Sequence, residues 1–103
     1  MKLSKLVLED YAKYKEEAAK LQQELRDTYN RDDIFVTMGQ YYERDRGFGK
    51  VSYTVNDEID PAEWKNMLNY LKAKGFEITQ ESNWYDEDDD RRWYPDIKFE
   101  FDV

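Results

Sequence analysis

The chain has 103 residues, and its 24 acidic and 16 basic side chains give it a formal charge of −8, with no cysteine and no histidine. The lack of cysteine excludes a disulfide framework, a zinc–thiolate site and thiol chemistry, and the acidic excess repels a bare phosphate backbone or an anionic membrane surface. At this length, and with 17% aromatic residues, we expect a single domain over residues 1–103 with one core.

The first predicted element is a long helix over residues 4–29. This segment has neither proline nor glycine and is rich in strong helix formers. Its apolar residues recur at spacings of four and three, which is typical of an a/d stripe. The stripe consists of Val7, Tyr11, Tyr14, Ala18, Leu21 and Leu25. It indicates either a helix that lies on a sheet or a coiled coil with a second copy of the chain, and the residues leave both open.

A hairpin is predicted next, over residues 34–55. In its first strand apolar and polar side chains alternate, and Gly39 marks a possible bulge. Gly47 and Gly49 are expected to form the turn, and a second strand returns over residues 50–55. A glycine-rich loop beside basic residues also suggests a phosphate site, but these glycines open no helix, so the context of that motif is missing. The inward residues are Ile34, Val36, Met38, Val51, Tyr53 and Val55, with Phe35 and Tyr41 on the opposite face.

The second helix, predicted over residues 61–74, has well-marked ends. Asp60 is a suitable N-cap, Pro61 takes the first helical position, and Glu63 would complete a capping box. Gly75 ends the helix. The apolar residues recur at helical spacing and are Trp64, Met67, Leu68 and Leu71.

A second hairpin closes the chain over residues 76–103. On the way out, Phe76, Ile78 and Trp84 are expected to share one face, and on the way back apolar and polar residues alternate to the end of the chain. Between the arms, residues 86–90 read Asp-Glu-Asp-Asp-Asp and are followed by two arginines. Such a run of like charges is not buried, and its members repel one another unless something binds them. We call residues 86–90 the acidic tip.

The order helix, strand, strand, helix, strand, strand predicts an α+β fold. We expect a two-layer sandwich in which two helices cover one face of a four-stranded antiparallel sheet. The strand order is left open, because the second helix can carry the chain to either edge of the first hairpin. The side chains expected to face one another between the layers are Leu21, Leu25, Trp64, Leu68, Ile97 and Phe99.

The sequence offers little for catalysis. With histidine and cysteine absent, only carboxylates, lysines, tyrosines and serines remain as proton carriers or nucleophiles. Paired carboxylates need a cleft that keeps one of them protonated, and no such cleft is indicated. We therefore expect no enzyme activity and no cofactor, and a carboxylate enzyme is the third alternative.

The acidic tip partly matches a calcium-binding loop. A loop that starts at Asp86 places further acids at Asp88 and Asp90, as the EF-hand pattern requires. The match then fails, since Arg91 stands where a glycine makes the turn and Ile97 stands where a bidentate glutamate is needed. No specific metal site is predicted.

The distribution of acidic residues suggests a recognition surface. Residues 60–103 hold twelve acidic and six basic residues, whereas residues 1–31 hold six acidic and seven basic ones. Carboxylates on a rigid scaffold can occupy the phosphate-binding groove of a nucleic-acid enzyme, because the groove responds to charge and position. The candidate partner-binding residues are Asp86, Glu87, Asp88, Asp89, Asp90, Glu77, Glu81, Asp96, Glu100, Asp102, Trp84 and Tyr85. The alternative is that these charges only keep the chain soluble.

In size, lack of cysteine and histidine, and the aromatic and acidic texture of residues 83–90, the chain resembles a class of small acidic proteins. Bacteriophages and mobile elements encode such proteins, anti-CRISPR proteins among them, to inhibit host nucleic-acid enzymes. The resemblance implies stoichiometric binding and occlusion, and the net charge indicates a basic protein partner with no direct contact to nucleic acid. It names no particular target.

The cellular location and the oligomeric state are also expectations. No apolar run approaches the ~20 residues that span a bilayer, and Glu9 and Asp10 interrupt the N-terminus before a secretory h-region could form. We expect a cytoplasmic protein that is a monomer or a homodimer. The main alternative function is structural or assembly work by a homodimer formed through the first helix.

Overall fold

The computed structural model describes residues 2–55, 59–86 and 89–103, with side chains described over 12–55, 59–83 and 94–103. The elements are α1 (Lys2–Tyr29), β1 (Ile34–Gln40), β2 (Arg46–Tyr53), α2 (Pro61–Ala73), β3 (Glu77–Asp86) and β4 (Asp89–Asp102). Their order and approximate bounds confirm the prediction. Within the described part of the chain, neither helix is long and apolar enough to cross a bilayer.

The four strands form one antiparallel sheet in the order β1-β2-β4-β3. The predicted α+β architecture is therefore confirmed. The strand order, which the sequence left open, places the C-terminal strand β4 in the centre beside β2. The edges of the sheet are β1 and β3.

Both helices pack on the same face of the sheet, and the core lies between the two layers. From α1, the stripe residues Tyr14, Ala18, Leu21 and Leu25 are buried there. These four residues therefore lie on the sheet, as the first of the two interpretations of the stripe predicts, and the side chains of Val7 and Tyr11 lie outside the described residues. The buried strand residues are Ile34, Val36, Val51, Tyr53, Ile97 and Phe99.

α1 also covers part of the edge strand β1. The side chain of Gln22 accepts a hydrogen bond of 3.1 Å from the Val36 N–H, and Arg26 donates one of 2.9 Å to the Ile34 carbonyl. Unpaired backbone groups at a sheet edge can pair with strands of other molecules. These two contacts satisfy such groups from within the chain.

α2 contributes Met67 and Leu71 to the core, and both are fully buried. Trp64 and Leu68, which were expected between the layers, are partly buried and pack against this core. Leu68 lies about 100° around the helix from Met67, and it is Met67 that faces the sheet.

The ends of α2 follow the sequence signals. The Asp60 carboxylate accepts a hydrogen bond of 2.9 Å from the Ala62 N–H, and Gly75 takes the left-handed conformation, with φ +93°, that ends the helix. Glu63, which was expected to complete a capping box, accepts a hydrogen bond of 3.2 Å from Arg31. It thereby links the start of α2 to the end of α1.

The glycines of the first hairpin have a different role from the predicted one. Gly47 and Gly49 lie inside β2, and the turn is made by residues 41–45. On the helix-covered face they pair with Phe101 and Phe99 of β4, whose rings lie over them. A Cβ atom at either glycine would clash with a ring, so β2 needs glycine where β4 carries phenylalanine.

The two helices are joined by a polar contact between long side chains. Glu24 of α1 accepts hydrogen bonds from Tyr70 and, at 2.8 Å, from Lys74. The hydrogen bond from Lys74, followed by the one from Tyr70, holds the pKa of Glu24 below its usual value of 4.5. The same contact raises the pKa of Lys74.

Replacing Gly49 with alanine should lower the free energy of unfolding by about 1–3 kcal/mol. The new methyl group meets the ring of Phe99, which is buried and stacked on Phe76 at 4.3 Å between centroids, so it has no room to move. Gly39→Ala is the matched control, because its Cβ would meet the ring of Phe48, which is 41% exposed and lies outside the core. Urea denaturation should show a change of less than about 0.5 kcal/mol for the control. A Gly49→Ala variant as stable as the wild type would contradict the described packing.

Glu24→Gln should lower the melting temperature by about 1–4 °C at pH 7, since Glu24 is part exposed and the pair is screened by solvent. Because the pKa of folded Glu24 is lowered, its contribution is present above pH 4.5 and is lost as the pH falls further. Thermal melts of variant and wild type should therefore converge in acid. Glu16→Gln, which disrupts an exposed pair with Lys20 of 3.7 Å, is the control and should change the melt less at pH 7.

Candidate interaction surface

The β3–β4 hairpin is longer than the rest of the sheet. β2 pairs with β4 only from Arg46–Asp102 to Ser52–Asp96, whereas β3 and β4 stay paired as far as Asp86–Asp89. Residues 89–94 lie beyond both β2 and the buried Pro95, a length of roughly 20 Å at 3.3 Å per residue. This part of the hairpin is a two-stranded ribbon with the acidic tip at its end.

For the acidic tip, the structure describes only backbone positions. Asp86 pairs with Asp89 across the turn, and Asp90 follows in β4. Glu87 and Asp88 lie outside the described residues. The side chains of the other predicted residues in this region also lie outside the described part, namely those of Trp84, Tyr85, Asp86, Asp89 and Asp90.

Four further candidates lie on the face of the sheet that the helices leave uncovered, which we call the open face. They are Glu77, Asp96, Glu100 and Asp102, and each has a basic partner on the same face or in the adjacent turn. The guanidinium nitrogens of Arg46 form salt bridges with a carboxylate oxygen of Asp102 at 2.5 Å and with one of Glu77 at 2.6 Å. Arg44 bonds Glu100 at 3.0 Å, and Lys50 lies 3.9 Å from Asp96. Arg44 and Lys50 each compensate one acid, whereas Arg46 is shared by two, and all four acids lie apart from the acidic tip.

Glu81 is separated from these four acids by a bulge in β3. The register shifts between Ile78 and Gln80, so Glu81 pairs with Ile97 of the helix-covered face, although its side chain stays exposed. Beyond the bulge, Trp84 pairs with Tyr94, at a register position of the open face. The shifted register no longer follows the alternation that grouped Trp84 with Phe76 and Ile78, and the side chain of Trp84 itself lies outside the described residues.

The open face also carries aromatic and basic side chains, of which the sequence analysis had placed Phe35 and Tyr41 there and had missed Phe48 and Arg44. Phe35 and Phe48 are exposed there, and the Phe48 ring lies 4.9 Å from that of Tyr41. The Arg44 guanidinium sits 4.1 Å from the centre of the Tyr41 ring. Phe48 was missed because its segment was predicted to be a turn. The signal available in the sequence was that Phe48 lies between two glycines, Gly47 and Gly49.

A polar depression of about 480 Å³ lies at the end of α1. It is lined by Gln23, Arg26, Asp27, Asn30, Arg31 and Asp32. Its arginines are engaged, since Arg26 bonds a β1 carbonyl and Arg31 bonds Asp33 at 2.9 Å. Among the described side chains, no group of three or more acidic residues is arranged to hold a metal ion.

Two oxygen atoms in the described part of the chain are buried without a hydrogen-bond partner, Tyr53 Oη and Asp96 Oδ1. Burial raises the pKa of the Tyr53 hydroxyl, so the phenol stays neutral in the core. Asp96 sits on the open face between Ser52 and Ser82, to which its position is paired.

No protein-family model, characterised protein or solved structure matches this chain. The arrangement of its own residues is therefore the basis for any functional proposal.

Leu25→Glu should prevent folding, because Leu25 of α1 is fully buried against the sheet in the protomer. Ala19→Glu, on the exposed side of the same helix, should leave a folded protein. Sedimentation of the wild type should give the monomer mass at every concentration tested, since the described stripe residues of α1 are already covered. A concentration-dependent dimer that persists in Ala19→Glu would contradict this expectation and favour the alternative of assembly through α1. Val7 and Tyr11, whose side chains lie outside the described part, would be the next residues to change.

Proposed function

We propose that the chain is a non-enzymatic binding protein that places the acidic tip in the basic groove of a nucleic-acid-handling protein and thereby blocks the groove. The observation that carries this proposal is the β3–β4 ribbon, which extends beyond β2 and has the acidic tip at its end. A narrow ribbon can enter a groove that the whole domain, with its two helices, cannot.

The charge of the tip supplies the recognition chemistry. Lysine and arginine side chains that normally bind phosphates form short, charge-assisted hydrogen bonds with carboxylates as well. A net charge of −8 also steers the chain towards a basic partner and raises the association rate. The open-face acids are less suited to this role, because a partner would first have to displace Arg44, Arg46 or Lys50 from them.

The proposed mechanism is inhibition by one-to-one binding that blocks the groove. A protein that fills a groove competes with the nucleic acid and needs no catalytic group. This is the action implied by the resemblance to small acidic inhibitors from bacteriophages and mobile elements, and it takes place in the cytoplasm, where the host enzymes are. Anti-defence activity is the form of this proposal that the resemblance favours.

The test replaces Asp86, Glu87, Asp88 and Asp89 with asparagine or glutamine. The matched control removes the same charge elsewhere, with Glu16, Glu17, Asp27 and Asp32 replaced in the same way, all of them exposed. Affinity capture from the host at low and moderate salt, read by mass spectrometry, should yield a nucleic-acid enzyme or binding protein with the wild type and with the control. The tip variant should lose it while its thermal melt stays unchanged.

Other results would contradict the proposal in different ways. Equal loss of the partner in both variants would show that net charge alone causes the binding. Equal retention in both would mean that the tip only solubilises the chain. A melting temperature that rises with added calcium in the wild type and not in the tip variant would make the tip a metal site.

A further inference from the structure

The open face has a regular arrangement across its strands. At one level of the sheet, Thr37, Lys50, Lys98 and Gln80 lie side by side, so two lysines of the central strands are directly opposite each other. Phe35 lies one level away on β1, and Phe48 lies one level away in the other direction on β2. Adjacent levels are about 6.6 Å apart along a strand. The level of the lysine pair therefore lies between those of two exposed phenylalanines, and the Arg26 guanidinium lies 5.3 Å from the centre of the Phe35 ring.

The Phe48 ring lies against the sheet. A Cβ atom on Gly39 would lie 2.8 Å from Phe48 Cζ, so the ring extends from β2 across the bare backbone of β1. The side chain is still 41% exposed, and that of Phe35 is 51% exposed. Exposed rings on a sheet are suitable platforms on which unpaired bases stack.

The local charge of this area differs from that of the whole chain. The side chains of Lys50 and Arg44 are 46% and 56% exposed, whereas those of their partners Asp96 and Glu100 are only 15% and 20% exposed. An approaching ligand therefore meets the cations first. The cationic area is limited, because Glu77 and Asp102 keep exposed carboxylates around Arg46 at one end of the face.

The lysine pair destabilises the fold of the unbound protein. Like charges directly opposite each other destabilise a sheet. Lys98 is exposed, and no described acidic side chain lies within salt-bridge distance of it. A bound anion between the two lysines would remove this repulsion.

We propose that the open face binds a short single-stranded nucleic acid, with bases stacked on Phe48 and Phe35 and a phosphate between Lys50 and Lys98. This site goes beyond the proposed inhibitor function and does not depend on it, since it lies on the sheet and not at the ribbon end. The overall charge led us to expect no contact with nucleic acid, and that charge limits the ligand to the few nucleotides the face covers. A duplex does not fit, because its bases are already stacked and paired.

Fluorescence anisotropy with a labelled oligothymidylate tests the site. The wild type should bind it in low salt and should not bind a labelled hairpin duplex. Phe48→Leu should weaken binding about 5- to 150-fold, the effect of losing one stacked base. Tyr42→Leu, at an 81% exposed residue of the adjacent turn, is the aromatic control and should bind like the wild type.

The lysines are tested through salt dependence. Lys50→Gln with Lys98→Gln should reduce the slope of log affinity against log salt by about 0.7, which corresponds to the loss of the one phosphate bound between the two lysines. The matched control is Lys65→Gln with Lys72→Gln, at exposed positions of α2, which should leave the slope unchanged.

Three outcomes would overturn the proposal. The first is no binding of the oligothymidylate in low salt, or equal binding of the duplex. The second is a Phe48→Leu or paired lysine variant that behaves like its control. The third is displacement of the oligothymidylate by polyaspartate at equal charge concentration, which would assign the face to an acidic polypeptide.

Discussion

The arrangement of this fold depends on the contact between two glycines of β2 and two phenylalanines of β4. Gly47 and Gly49 leave room on the helix-covered face, and the rings of Phe101 and Phe99 fill it. The Phe99 ring then stacks on Phe76, where the chain enters β3. Because these contacts hold β4 beside β2, the C-terminal strand is central, and the hairpin it forms with β3 is the part of the sheet that extends beyond the rest.

Local signals predicted the elements well, because each rests on neighbours in the chain. The Asp60 cap, Gly75 and the alternation in β4 all specify conformation within a few residues. The features that were missed depend on partners distant in sequence. A glycine in a strand looks like a turn residue until the ring that covers it is known, and the bulge between Ile78 and Gln80 leaves no mark in the hydrophobic pattern.

The same distinction applies to the candidate surfaces. A run of acidic residues is visible in any sequence, and the hairpin pattern on either side places the acidic tip at a turn without knowledge of the fold. The compensation of Glu77, Glu100 and Asp102 by Arg44 and Arg46 depends on register between strands that are far apart in the chain. So does the position of Lys50 opposite Lys98. A charge count over residues 60–103 therefore overstates how acidic the sheet itself is.

The position of β4 also explains how one small domain keeps two surfaces of different charge apart. Its C-terminal half pairs with β2, so its acidic residues meet the basic side chains of the first hairpin and are neutralised there. Its N-terminal part has passed the end of that pairing and has only β3 beside it in the described register. The backbone positions of Asp86, Asp89 and Asp90 therefore lie away from the arginines that compensate the open face. A shorter β3–β4 hairpin would place the tip next to Ser52 and the rest of the sheet, within reach of the same basic residues.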